Sequence, residues 1–163
     1  ETPAYAQTPQ LRAKHNLNYW RFGDYLGIGA GAHGKITRLD LGEVHRTTKK
    51  RHPKDYLNGS TASISTDTPI PAHELPFEFM LNALRLIDGV PTSLFSQYTG
   101  LPLSSIRATL EQAVDDGLLA DITTQLKPSD KGALFLNELL ERFIPSDNSK
   151  PEKGSASIQF KQL

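Results

Sequence analysis

Cysteine is absent from this sequence. That excludes a disulfide framework, a thiolate metal site, a cysteine nucleophile and, within these residues, the ligands of an iron–sulfur cluster. An excess of one charge is absent too. Eighteen Lys and Arg balance eighteen Asp and Glu, so no overall field favours nucleic acid or anionic lipid, and such a partner has to be met by a local patch. No apolar run approaches the roughly 20 residues that span a bilayer, and no charged-then-apolar leader with a cleavage site opens the chain. The default expectation is a soluble, cytoplasmic protein. Its first residue is Glu1 rather than methionine, and ETPAYA begins in mid-pattern, which reads as a piece of something longer.

What is present is ordinary globular material: 163 residues, 37% hydrophobic and 22% charged, enough for one good core or two small ones. Residues 15–34, HNLNYWRFGDYLGIGAGAHG, gather the only tryptophan, two histidines and a run of glycines. The glycines either let the backbone pass close to a bulky ligand that the aromatics and His15 face, or they build a tight turn. Residues 1–41 read as sheet: a buried strand, a glycine turn and a second strand. Residues 42–70 read as a polar connector, with the basic loop RTTKKRHPKDY, an NG turn and one short helix around residues 53–57.

The pattern changes at Pro71. Phe77, Met80, Leu81, Leu84 and Leu86 recur at near-helical spacing before Gly89. A second helix starts at Thr92 or Ser93 and stops at Gly100, and a third carries Leu103, Ile106, Leu110 and Val114 on one stripe. After Gly117 the chain reads as a strand, a polar loop over residues 127–131, a return, and a closing helix over residues 132–143. The expected class is therefore α+β, and the order helix, helix, helix, hairpin, helix over residues 71–144 is the winged-helix pattern. The polar, small-residue segment 145–163 is expected to be a flexible tail.

Winged-helix modules often read DNA with their third helix. Here that helix offers Arg107 as its cation while Glu111, Asp115 and Asp116 follow it, the wrong sign for phosphate, so no nucleic-acid partner is expected. The basic loop, including Arg46 and Arg51, is either a solvated connector or a place to hold carboxylates or phosphates. The five histidines show no i, i+4 pairing and no HExxH spacing. No set of residues assembles a catalytic site. GIGAGAHG is not read as a dinucleotide loop, because residues 35–41 read as strand or turn rather than as the helix that loop requires. His15 is a candidate haem-iron ligand, with Tyr19 and Trp20 as flat apolar faces; a hydrogen-bonded structural histidine is the competing reading, and spacing does not separate them.

Five blocks in order, HNLNYW, GDYLGIGAGAHG, RTTKKRHPKDY, PFEFMLNALRL and KGALFLNELLERF, closely resemble the C-terminal portion of the oxygen-independent coproporphyrinogen III oxidase-like family, in its radical SAM haem-chaperone branch. The resemblance covers residues 1–144. It implies that residues 1–41 are the C-terminal edge of a radical SAM partial (β/α) barrel, residues 42–70 a connector with the basic loop, and residues 71–144 a winged-helix-like accessory domain. It further implies that HNxxYW, here His15, Asn16, Tyr19 and Trp20, binds haem with His15 on the iron, and that Gly27, Gly29 and Ala30 border the S-adenosylmethionine pocket. The basic loop, Arg46 and Arg51 within it, is the side-chain candidate for the haem propionates. The cluster cysteines of such a protein are absent here, so S-adenosylmethionine and a 4Fe–4S cluster are expected of the full-length protein, with a missing N-terminal radical SAM domain and haem-accepting proteins as partners. The activity implied is haem carriage. Alternatives are a fragment of a coproporphyrinogen III oxidase, performing oxidative decarboxylation, and a cofactor-free winged-helix interaction module.

Overall fold

The structure, a computed structural model, describes residues 8, 11–59 and 64–145. Segment 146–163, where the flexible tail was expected, lies outside the described residues. The mix of helix and sheet is the expected α+β class. The chain divides into two units, one formed by Glu1–Gly23 with Ala72–Leu163 and the other by Asp24–Pro71.

In the first unit the apolar spacing after Pro71 produces α3 (Leu75–Ala83), which buries Leu75, Phe79, Met80 and Ala83. Pro76 at its start is tolerated because the first helical N–H groups have no partner to lose. The next helix, α4 (Ser93–Thr99), ends on Gly100 at φ +71°. A 3-10 turn leads into α5 (Arg107–Asp115), which buries Leu110 and Ala113. Phe79 stacks edge-to-face on Phe95 at 5.4 Å and on Phe22 at 5.6 Å between ring centroids, so three aromatic rings form the spine of this core.

The hairpin that follows departs from the expected layout. Its turn falls at residues 121–124 rather than 127–131, because the Asp121 carboxylate accepts from both the backbone N–H and the hydroxyl of Thr123 and closes an Asx turn there. The return strand β5 (Gln125–Leu126) then pairs antiparallel with β4 (Val90–Pro91). The closing helix is two pieces, α6 (Asp130–Leu134) and α7 (Leu136–Glu141). Ser129 caps the first by accepting from the Gly132 N–H. Gly132 is obligatory, since a Cβ there would lie 1.8 Å from the Leu118 carbonyl oxygen. Arg142 bonds the Asp116 carboxylate, holding its pKa below the ordinary value and tying the end of α7 to the end of α5.

Residues 14–20, within the stretch expected as sheet, form α1 (Lys14–Trp20). KHNLNYW holds no glycine, proline or β-branched residue, so nothing in it resists a helix before the glycines begin at Gly23.

The second unit is a three-stranded antiparallel sheet of order β1-β2-β3: β1 (His33–Arg38), β2 (Glu43–Lys49) and β3 (Ile64–Pro69). The stretch read as connector thus supplies two of its strands. The expected short helix is α2 (Pro53–Leu57), with proline in its first turn. Polar residues mislead here because β3 is exposed along its whole length, and an edge strand needs no apolar face. Across the β2–β3 pair, His45 Nδ1 lies 2.7 Å from Asp67 and its Nε2 lies 2.8 Å from Glu43. Only the imidazolium can donate to a carboxylate from both nitrogens. Burial alone lowers the His45 pKa, but the hydrogen bonds and charges of Glu43 and Asp67 outweigh it and hold it above the ordinary value.

A folded pKa raised above the unfolded one contributes stability that is complete below the unfolded value and is lost as pH rises through the folded value. The sheet unit is therefore expected to weaken on alkalinisation from about pH 6.5 upward. An NMR titration of the His45 Cε1–H resonance checks this, and a midpoint below that of a free imidazole refutes it.

Candidate functional site

The His-Asn-x-x-Tyr-Trp stretch lies on α1, so residues one turn apart share a face. His15 and Tyr19 form one such pair, with their rings edge-to-face at 6.2 Å, and both are exposed. No hydrogen bond or ion pair engages the His15 ring among the described residues. Its ring nitrogens are thus available to an incoming ligand. Asn16 and Trp20, the other pair at this spacing, are half-buried. The Arg85 guanidinium sits 5.1 Å above the Trp20 ring, while its Nε donates to the Leu81 carbonyl at 3.1 Å. Trp20 Nε1 is buried without a hydrogen-bond partner among the described residues.

The exit of α1 is fixed by an unusual residue. Gly23 N–H donates to Asn18 O at 2.8 Å and Phe22 N–H to Tyr19 O at 2.9 Å, which is the Schellman arrangement, with the left-handed position normally given to glycine. Phe22 occupies it at φ +64° and is 1% exposed. Burying the ring against Phe79 offsets a backbone strain on the order of 1–2 kcal/mol. At the other end of α1, Arg12 pairs with Asp88. Gly23 itself has no room for a side chain, since a Cβ would lie 2.1 Å from Asn18 Oδ1.

In the sheet unit the glycine run is a turn that folds onto its own chain. Tyr25 and Lys35 bridge antiparallel, and a Cβ on Gly27 would meet the His33 carbonyl oxygen at 2.3 Å. Gly29 at φ +108° and Gly31 at φ +72° take backbone conformations that side-chain-bearing residues rarely adopt. Gly31 N–H donates to Lys50 O at 2.9 Å and Gly29 N–H to the Tyr56 hydroxyl at 3.1 Å. The turn thereby meets the basic loop, and a Cβ on Gly31 would lie 3.8 Å from Arg51. A Cβ on Gly29 would meet nothing within 4 Å, and Ala30 is exposed, so one side of the turn is open. Gly27 also lines a cavity of about 180 Å³, together with Leu26, Ile36, His45, Thr47 and Lys49. Arg46 stands exposed on β2.

The candidates therefore fall into two sets. His15, Asn16, Tyr19 and Trp20 share α1, whereas Gly27, Gly29, Ala30 and Arg51 share the turn region of the sheet unit. Sequence reasoning missed Arg85 and Tyr56. Neither carries a local signal, because each meets its partner only through tertiary contact.

Residues 70–135 match the family model described as the HemN C-terminal domain. Over 144 residues it is 46% identical to the haem chaperone HemW of Escherichia coli (strain K12), covering 88% of this chain and 37% of that protein. It is 43% identical over 147 residues to the haem chaperone HemW of Haemophilus influenzae, covering 90% and 37%. A radical S-adenosyl methionine domain-containing protein 1, mitochondrial, of Dictyostelium discoideum is 28% identical over 165 residues, at 88% and 37%. The chain thus spans little more than a third of the length of these relatives. No solved structure matches it. Among the described residues no helix is long and apolar enough to cross a membrane.

Two substitutions separate the geometric roles in the glycine turn. Gly27→Ala is expected to destabilise the sheet unit by about 1–3 kcal/mol, as overpacking does, while Ala30→Gly, at an exposed position, stays within about 1 kcal/mol. Chemical denaturation of both variants measures the contrast, which vanishes if Gly27 is not in contact with the His33 backbone.

Proposed function

We propose that this chain is the C-terminal part of a radical SAM haem chaperone, and that it holds haem through His15 for delivery to haem-requiring proteins. One observation carries the reading: an exposed imidazole that no hydrogen bond or ion pair engages among the described residues, beside an exposed aromatic ring on α1, in a chain 46% identical to a haem chaperone. A neutral imidazole offers iron a nitrogen lone pair, and the edge of Tyr19 gives a planar macrocycle an apolar neighbour. Exposure suits a carrier, because a ligand held at the surface leaves without unfolding its site. Asn16 and Trp20 complete the motif from the packed side of the helix.

In the same reading residues 1–41 close the edge of the radical SAM partial barrel, residues 42–70 bear the basic loop, and residues 71–144 are a winged-helix-like accessory domain. Gly27, Gly29 and Ala30 border the S-adenosylmethionine pocket of the complete protein; the open side of the turn and the cavity beside Gly27 support this. Arg46 and Arg51 are propionate partners, the latter supported by its exposure beside Gly31. S-adenosylmethionine and an iron–sulfur cluster, when bound in the full-length protein, supply radical chemistry. This chain has no cysteine to ligate the cluster. Haem-accepting proteins are the partners and the cytoplasm is the setting.

Titration of the chain with haem, followed in the Soret region, is expected to give a saturable 1:1 complex with a histidine-ligated spectrum. His15→Ala is expected to weaken uptake by about 100-fold, since loss of a ligand exceeds the effect of losing an outer partner. Unchanged uptake and an unchanged spectrum in that variant remove His15 from the iron.

A further inference from the structure

α1 is a helix that cannot hold itself. It has seven residues, no side-chain N-cap and no fully buried residue, while isolated helices need roughly 12–15 residues to persist in water. Whatever presents His15 must therefore come from outside the helix. Such contacts include the Phe22 ring beyond its C-terminus, the Arg12–Asp88 pair before its N-terminus, and the Arg85–Trp20 contact on its flank. The last of these grips the helix through its own side chain.

His15 and Trp20 are five residues apart, which on a helix of 3.6 residues per turn puts them on nearly opposite sides. Gripping Trp20 therefore turns His15 and Tyr19 outward. Trp20 also buries an indole N–H that has no hydrogen-bond partner among the described residues, an unfavourable feature that its docking must overcome. Arg85 answers it from the ring face: its guanidinium lies over the indole and is itself anchored by the Leu81 carbonyl at the end of α3. Planar, delocalised guanidinium suits this stacking better than a lysine ammonium.

Resting on the haem reading above, we propose that Arg85 is a positioning residue of the haem site, clamping Trp20 so that α1 presents His15 to the iron. It touches neither iron nor porphyrin. Its loss weakens haem binding by letting α1 fray, and leaves the chemistry of the iron–histidine bond unaltered in the complexes that still form.

The chain's single tryptophan makes the clamp directly visible. In the whole chain, Arg85→Ala is expected to red-shift Trp20 emission, increase its quenching by acrylamide, and weaken haem binding by about three- to tenfold. The Soret position of its saturated complex stays that of the native one, in contrast to His15→Ala. Arg85→Lys keeps the charge but not the plane and is expected to fall between; it also preserves the test if Arg85→Ala loses its helical circular dichroism. Native emission in Arg85→Ala, or haem affinity within twofold of native, overturns the clamp. So does an altered Soret band, which would make Arg85 part of the iron's surroundings. If the native chain takes up no haem, the haem reading falls and Arg85's role with it; haem uptake by native and Arg85→Ala chains alike sinks the clamp alone.

Discussion

The edge-to-face ladder of Phe22, Phe79 and Phe95 is the contact on which the first unit depends. Each ring comes from a different part of the chain: two residues beyond α1, the middle of α3 and the first turn of α4. Burying them together joins a short N-terminal helix to the helices that follow Pro71 although some fifty residues of another unit intervene. Aromatic burial is large and the ring geometry directional, so the ladder can hold Phe22 in a left-handed conformation that a solvent-exposed phenylalanine would leave. The helix bearing the haem-ligand candidate is thus anchored through a residue outside it.

The sheet unit is held differently. Little of β3 is buried, and polar pairing across the sheet stands in for a core: the imidazolium of His45 between two carboxylates, and the Thr48–Thr66 hydroxyl pair at 2.6 Å. Asp24 repeats the device on β1, accepting from Lys35, which is 6% exposed, and from both the backbone and the hydroxyl of Thr37. Such networks are sensitive to protonation where apolar cores are not. The glycine turn completes the unit by letting its backbone lie against that of its neighbours.

The helices of residues 71–144 were legible because their apolar stripes and glycine stops are local signals: Gly100 and Gly89 both adopt the left-handed conformation that ends a helix or turn. The strands of residues 43–49 and 64–69 were not legible: β3 is an exposed edge with no alternation to read, and the central β2, EVHRTTK, buries Val44 beside the polar His45 in an otherwise polar run. The hairpin turn was placed late because an Asx turn at Asp121 outweighs the more polar run that follows. Of the candidate site, His15 was legible by type and by likeness to a family, but its outward orientation was not, and the contacts of Arg85 and Tyr56 were invisible.

By itself the sequence determined the chemistry that is available: no thiolate for a cluster, one indole, one imidazole in an aromatic setting, and glycines where a chain must turn sharply. Those follow from side-chain identity and need no partner. Tertiary structure alone decided which ring of HNxxYW faces water and which is packed, because the orientation of a seven-residue helix is set by residues far along the chain that grip it. Composition is a local property, whereas presentation of a ligand is a balance of distant contacts.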